Sequence, residues 1–387
     1  MRTPLAWHNL AYHKVRTVAA VAGVTFAVVL IFLQLGFRST AEKTASLVYE
    51  ALDFDILLRS KNVGRLSQSR PFPEVRLYQA ASTGGVCGVS SVSLNYNRWQ
   101  SLAGAARPIL ALGVAPDATV FSNPELRAKV SLLTAPEFVL IDRASRSEFG
   151  PHNGSEFGDE DIGTEAEIER HRIRLVGHFL LGTTFDADGM AVLSQEGFRR
   201  LQPAWPAGCI SLGLIRLEHG ADPAAVARRL RERFSTADTA DVDVFTRTEV
   251  MDRERWVWLW QQSIGMIFTM GVAVAFVVGS VIVYQVLSSD VTNHLPEYAT
   301  LKAMGYTNGF LSRVVLAQAV ILALLGFVPG LVVSQILYVA TAWKTRLPLD
   351  MTLPRIAGVL GLSLAMCIVS GWVALRKLRH ADPADLY

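Results

Sequence analysis

Charge is scarce in this 387-residue chain. Asp, Glu, Lys and Arg make up 18% of it, against about a quarter in ordinary soluble domains. The net charge of +3 is too small to argue for nucleic acid. Cysteine is scarcer still, with Cys87, Cys209 and Cys367. Cys367 sits in a hydrophobic run and reads as a small apolar residue. Cys87 and Cys209 fall in one large central segment, where a disulfide and two free thiols both stay open. The dipeptide Gly-Lys occurs nowhere, so there is no Walker A loop and no nucleotide hydrolysis by this chain. His-Glu-x-x-His and Cys-x-x-Cys are missing too. His152, His171, His178 and His219 are scattered and read as surface or satisfied histidines, so no metal is expected. Gly182-Thr183-Thr184 with Asp186-Ala187-Asp188-Gly189 has too few carboxylates for a calcium loop and reads as a hairpin turn. Ser82-Thr83-Gly84-Gly85 reads as another turn.

What the chain has instead is four runs without a charge. Thr17 to Phe37 is 21 residues, Trp256 to Ser289 is 34, Val314 to Trp343 is 30 and Ile356 to Leu375 is 20. A helix crosses the hydrocarbon core with about 20 apolar residues. Each run therefore reads as a span. The first is too long for the core of a signal peptide, and no small-x-small cleavage site follows it. Arg2, Lys14 and Arg16 before the first span, and Arg376, Lys377 and Arg379 after the last, put both termini in the cytoplasm. Basic residues in the short loop 344–355 blur that bias. The expected fold is a membrane protein with four transmembrane α-helices, one and then three, and a large α+β extracytoplasmic domain between the first and second spans.

The boundaries follow. Residues 1–16 read as a cytoplasmic amphipathic helix, opened by Thr3-Pro4 with Trp7, Leu10, Ala11, Val15 and Val18 on one face; the alternative is a simple extension of the first span, 17–37. The domain at 38–255 has helical edges, with Ala41 to Ala51 continuing the first span as a stalk. Strand character marks Phe54 to Arg59, Phe138 to Asp142, Arg172 to Phe179, Ile210 to Leu217 and Val242 to Phe245. Pro73 to Ala81 and Asp222 to Phe234 read as helices, the second with a solvated face of Arg228, Arg229, Arg231 and Arg233. The acid- and Gly-rich stretch Phe149 to Glu169 reads as a loop or insertion. The second span with its stalk occupies 256–289. As one helix its 34 residues would extend about 50 Å against a core of about 30 Å. Trp256, Trp258 and Trp260 suit the outer interface and a stalk above it. The third and fourth spans are 314–343 and 356–375, joined by the extracytoplasmic loop 344–355. The cytoplasmic tail is 376–387.

Between the second and third spans lies the inner segment 290–313. Within it, Pro296 at the start and Gly305 past the end bracket a helix over 296–304. Tyr298, Leu301 and Met304 form its apolar stripe, beside Glu297 and Lys302. A helix this short needs a surface to dock on, its own membrane face or a cytoplasmic partner. The spans carry almost nothing ionisable; Gln34, Gln261, Gln262, Gln285, Gln318 and Gln335 are their larger polar residues. An ion-coupled carrier places carboxylates, His or Arg at membrane depth. Energy for any work would therefore come from a partner.

At this point the pattern resembles a known family. Pro4-Leu5-Ala6-Trp7, Lys14-Val15-Arg16 and Gln34-Leu35-Gly36-Phe37-Arg38 open the chain. Glu297-Tyr298-Ala299-Thr300-Leu301-Lys302-Ala303-Met304-Gly305-Tyr306 follows the second span, and Asp382-Pro383-Ala384-Asp385-Leu386 ends the chain. These resemble the permease subunits of MacB/FtsX-type ABC transporters, most closely the DevC-like branch, over the whole length. Pro296 departs from the pattern, since many relatives carry Arg or Lys there. The resemblance implies a pair of permease chains, each docked through the 296–304 coupling helix on one of two ABC ATPase subunits. ATP and Mg would sit on the ATPase, and no cofactor on this chain. The domain would pass the motion to a periplasmic membrane-fusion adaptor leading to an outer-membrane channel. The setting would be the bacterial inner membrane and its lipid. Three readings are carried forward. One is a permease driving efflux of lipid, glycolipid or other hydrophobic cargo. The second is an FtsX-like mechanotransmission subunit that switches a cell-wall hydrolase. The third is a receptor or scaffold without an ATPase.

Overall fold

The computed structural model describes residues 14–61, 63, 66, 70–100, 106–185, 187–236, 240–293, 300, 304 and 307–379. They fall into two compact units. One is helical and holds the described residues of 1–39, 263–342 and 349–387; the other holds those of 40–262 and 343–348.

The chain enters through α1, Lys14–Ala51, unbroken over 38 residues. The second unit then supplies β1 (Ile56–Ser60), β2 (Phe72–Pro73), α2 (Val75–Ala81), β3 (Val86–Gln100), β4 (Arg107–Val114), α3 (Pro124–Lys129) and β5 (Phe138–Asp142). After these come β6 (Glu165–Ile168), β7 (His171–Phe179), β8 (Met190–Ser194), α4 (Gln195–Leu201), β9 (Cys209–Ile210), β10 (Leu212–Leu217), α5 (Pro223–Arg233), β11 (Val242–Thr246) and α6 (Arg247–Trp256). The helical unit is completed by α7 (Ser263–Asn293), α8 (Asn308–Thr345) and α9 (Leu353–Arg379).

Local chemistry sets many of these limits. Asp222 caps α5 by accepting the N–H groups of Ala224 and Ala225, with Pro223 in the first turn, where its missing N–H costs nothing. Thr246 and Glu249 form a reciprocal capping box that starts α6. The side-chain oxygens of Asn123 and Ser194 cap α3 and α4 by accepting first-turn N–H groups, without a reciprocal partner.

Nine strands form one sheet in the order β11-β1-β10-β3-β4-β8-β5-β7-β6. β3 is long enough to pair with three neighbours: its first half with β10, its second with β4, and its end, Trp99 and Gln100, with β6. Strands β3, β4, β8, β5, β7 and β6 therefore close into a ring. Trp99, Phe149, Phe157, Ile168 and Leu193 belong to its core cluster. Closure removes one sheet edge. The other edge, β11, is guarded by charge: Arg231 donates to the Val244 carbonyl at 3.0 Å and pairs with Glu249. A second core under α5 joins Ile56, Leu58, Val226, Leu230 and Val244.

Several expectations for this unit need correction. Strands β3, β4 and β8 were not anticipated. β3 is rich in Ser and Asn and lacks clean alternation, because its two faces meet different neighbours along its length. The stretch read as a loop or insertion contains β6. The segment between β7 and β8 is no hairpin turn, since β5 lies between those strands. Ile210 to Leu217 is divided at Ser211, whose hydroxyl accepts the Leu94 N–H at 2.9 Å and so enters the ladder itself. Cys87 and Cys209 are free thiols. The β3–β10 register sets Cys87 beside Leu217 and Cys209 beyond Leu212, which faces Val92. Five or more residues at about 3.3 Å each separate them, beyond the reach of a disulfide.

In the helical unit, four helices among the described residues are long and apolar enough to cross a membrane. Their contacts are close because small residues allow it. Gly326 of α8 lies against Val24 of α1, and Gly279 of α7 against Ala27 and Met366, with no room for a Cβ at either glycine. Buried hydroxyls bond to backbone carbonyls, Thr25 to Gly326 at 3.1 Å and Ser370 to Ser280 at 2.7 Å. Met270, Val274, Val277 and Val281 of α7 are exposed. An apolar outer surface of this kind suits hydrocarbon rather than water.

Candidate transmission site

The second expected span was one over-long helix from Trp256. The structure interrupts it. Val257–Gln261 is a π-helical turn, and Gln262 is extended at φ −89°, ψ 139°. The Gln262 N–H donates to the Val257 carbonyl at 3.0 Å, five residues back. A π-turn takes an extra residue and recurs at functional positions. Hydropathy cannot see this break, because every residue from Trp256 to Ser289 is uncharged.

The three tryptophans divide accordingly. Trp258 is buried in its own unit, its ring 6.3 Å from that of Phe185. Trp256 and Trp260 are half exposed. Trp258 therefore packs into the fold of its unit, while the tryptophans two positions away on either side are half exposed.

One turn before the π-segment, Glu254 of α6 is paired with Arg59 of β1 at 3.5 Å, each side chain only 1% exposed. The Glu254 carboxylate also accepts the Leu66 N–H at 2.7 Å. The Arg59 guanidinium lies over the Phe245 ring at 4.8 Å, and Arg253 over the same ring at 5.3 Å. A cavity of about 20 Å³ touches Glu254, Trp258, Thr44, Tyr96 and Thr184, the space of one water. Charge, ring and helix are thus locked where α6 passes into the π-turn. Neither partner was singled out from sequence. Arg59 had a signal, a charge inside an apolar strand; Glu254 sits in a charged run that hides it.

A second arrangement lies in the helical unit, where α7 ends and α8 begins. Gln318 donates to Asp290 at 3.1 Å, and both are buried. Val291, Val315, Leu316 and Leu375 form a small apolar cluster from α7, α8 and α9. These residues brace both sides of the segment expected to hold the coupling helix. Pro296, Glu297, Tyr298, Leu301, Lys302 and Gly305 lie outside the described residues, as does the helix expected at the amino terminus through residue 13. Of residues 296–304, Thr300 and Met304 are described: the Met304 N–H donates to the Thr300 carbonyl at 3.0 Å, and Met304 is exposed.

The carboxylates elsewhere do structural work. Asp188 pairs with Arg107 at 3.2 Å and Arg146 at 3.0 Å, so arginines satisfy it. Asp142 is buried, which pushes its carboxyl up, against the pull of N–H donors from Ala144, Gly182 and Leu181. Asp161 is desolvated too, but N–H groups of His152 and Gly158 and the His152 ring together hold its carboxyl below the usual range. His178 contacts Asp159 at 3.0 Å. Among the described residues no group of three His, Cys, Asp or Glu is placed to hold a metal.

Residues 269–383 match the family model described as FtsX-like permease C-terminal. An uncharacterized ABC transporter permease of Mycobacterium tuberculosis is 24% identical, the alignment covering 99% of this chain and 98% of that protein. A second, from Mycobacterium bovis, is 25% identical over 98% and 97%. Among solved structures, the periplasmic region of MacB from Actinobacillus actinomycetemcomitans aligns with 53% of this chain and 94% of its own, at 7% identity and a TM-score of 0.38. One apolar helix, a large mixed domain and three further apolar helices follow one another along the chain; over its whole length it is similar to ABC transporter permeases, and its last third to the FtsX-like permease family.

Proposed function

We propose that this chain is the transmembrane subunit of an ABC export system in a bacterial inner membrane, with both termini cytoplasmic and the sheet-bearing domain outside. A separate ATPase, two copies against two permease chains, binds the 296–304 segment through Glu297, Tyr298, Leu301 and Met304. Nucleotide-driven closure of the ATPases moves that segment, and the helices pass the movement to the domain. The domain acts in turn on a periplasmic adaptor, and the cargo is lipid, glycolipid or another hydrophobic compound of the sort a DevC-like permease would export.

The observation that carries this reading is the Arg59–Glu254 lock. A domain that only bound a ligand would not need the last turn before the spans tied to a strand of its sheet, β1, by a buried ion pair. A relay does need it, because a loose junction would absorb the stroke. The near absence of charge in the spans supports the same reading, since cargo need not pass between them.

The test is co-purification. Tyr298→Ala with Leu301→Ala should abolish recovery of the ATPase with the permease while membrane insertion is retained. Undiminished recovery would sink the coupling assignment. A neighbouring gene for an adaptor with a long helical hairpin supports export, and one for a cell-wall hydrolase supports the FtsX-like regulatory reading.

A further inference from the structure

The connection between α8 and α9 is short, yet its residues Trp343–Pro348 fold with the sheet-bearing unit rather than with the helices on either side. Four contacts hold it there. The Arg346 guanidinium pairs with Glu156 and also donates to the Ser155 carbonyl at 3.3 Å. The Thr183 hydroxyl donates to the Arg346 carbonyl at 3.1 Å. The Thr40 hydroxyl donates to the Pro348 carbonyl at 3.2 Å. Arg346 takes φ +58°, a left-handed conformation that a non-glycine residue seldom adopts and keeps only where surrounding contacts impose it.

The recipient is a built surface. Asn153 accepts the N–H groups of Ser155 and Glu156 at 2.8 and 2.9 Å, fixing the turn that presents Glu156. Asp161 accepts from the backbone of His152 and Gly158 at 2.8 Å, closing the same loop on itself. Phe149 and Phe157 anchor it in the ring core. Thr183 follows Gly182, whose N–H is held by buried Asp142 at 2.7 Å.

We infer that Arg346 is a latch: it clamps the α8–α9 connection to loop 150–163, a third attachment of the domain besides its two chain connections through α1 and α7. Through it, any movement of α8 and α9 pulls directly on the loop at the ring of strands. The alternative, an incidental surface ion pair, would be worth little and would give no reason for a left-handed arginine or for two hydroxyls bonded to the same short segment. That the latch carries ATP-driven motion rests on the relay proposed above; the clamp itself does not.

Hydrogen–deuterium exchange on the full chain in lipid nanodiscs tests the latch. Arg346→Glu and Glu156→Arg should each speed exchange of the amides of 150–163 by about fivefold, and the double reversal should return it to within about twofold of wild type. Exchange in α5 serves as the folding control and should not change. Single variants that exchange like wild type, or a double variant no slower than the singles, overturn the latch. A separate arm adds the ATPase with ATP and vanadate. If wild-type exchange over 150–163 then shifts and Arg346→Glu abolishes the shift, the latch transmits. If charge reversal behaves as expected but nucleotide changes nothing in wild type, the relay reading fails and the clamp stands.

Discussion

Arg59 and Glu254 lie 195 positions apart in sequence and 3.5 Å apart in space, both almost wholly removed from solvent. Such a pair gains little over a well-packed apolar substitute, because desolvation cancels much of the attraction. Removing one partner is another matter, since it leaves a buried charge alone.

Glu254→Ala should therefore destabilise the domain by about 3–5 kcal/mol, read as a drop in the thermal midpoint of the purified chain in detergent. Arg59→Met combined with Glu254→Leu should cost clearly less than either single removal. If the double change is additive, the two residues do not act as a pair.

Trp258 and Trp256 should separate in the same assay. Trp258→Ala removes a buried aromatic and should cost about 3–5 kcal/mol. Trp256→Ala, half exposed, should stay within about 1 kcal/mol. Equal losses would mean that both side chains are packed alike.

The helix contacts at glycine give a third prediction. Gly326→Leu forces a side chain into Val24, and Gly279→Leu into Ala27 and Met366. Each should cost at least about 1–3 kcal/mol, seen as earlier thermal aggregation of detergent-extracted protein. Gly358→Leu, which meets nothing within 4 Å, should be tolerated.

Asp161 sets an acid limit. Its carboxyl is held below the usual range in the folded chain, so it contributes stability above the unfolded value of about 3.9 and loses it as pH falls through the lower folded value. Limited proteolysis of loop 150–163 should rise sharply below about pH 4 in wild type. Asp161→Asn should be cleaved faster at neutral pH and respond less to acid. Asp142 has the opposite sign: burial raises its carboxyl, so acid protonates it in the fold first and does not weaken the structure through it.

Cys87 is exposed, its thiol 3.2 Å from the Leu217 carbonyl. With Cys209 and Cys367 replaced, a membrane-impermeant maleimide should label it in intact spheroplasts if the domain faces outward. Labelling only after lysis would reverse the proposed orientation.

The sequence by itself determined the class of this protein. Runs of 20 or more uncharged residues leave a helix no stable place but an apolar medium, and no partner is needed to reach that conclusion. It also set the capped elements: Asp222-Pro223 opens a helix because the cap and the missing N–H are local facts. The tertiary structure decided the rest. β3 became a strand because three different neighbours accept its backbone, a condition no window of its own residues records. The second run broke at Gln262 because a π-turn and the packing of Trp258 on Phe185 set its path, while its composition stayed uniformly apolar. Glu254, Glu156 and Arg346 look like ordinary surface charges in the sequence, and Arg59 shows only as a charge in an apolar strand. Only folding, which brings groups far apart in the chain to within hydrogen-bond distance, makes two of them a buried lock and the other two a latch.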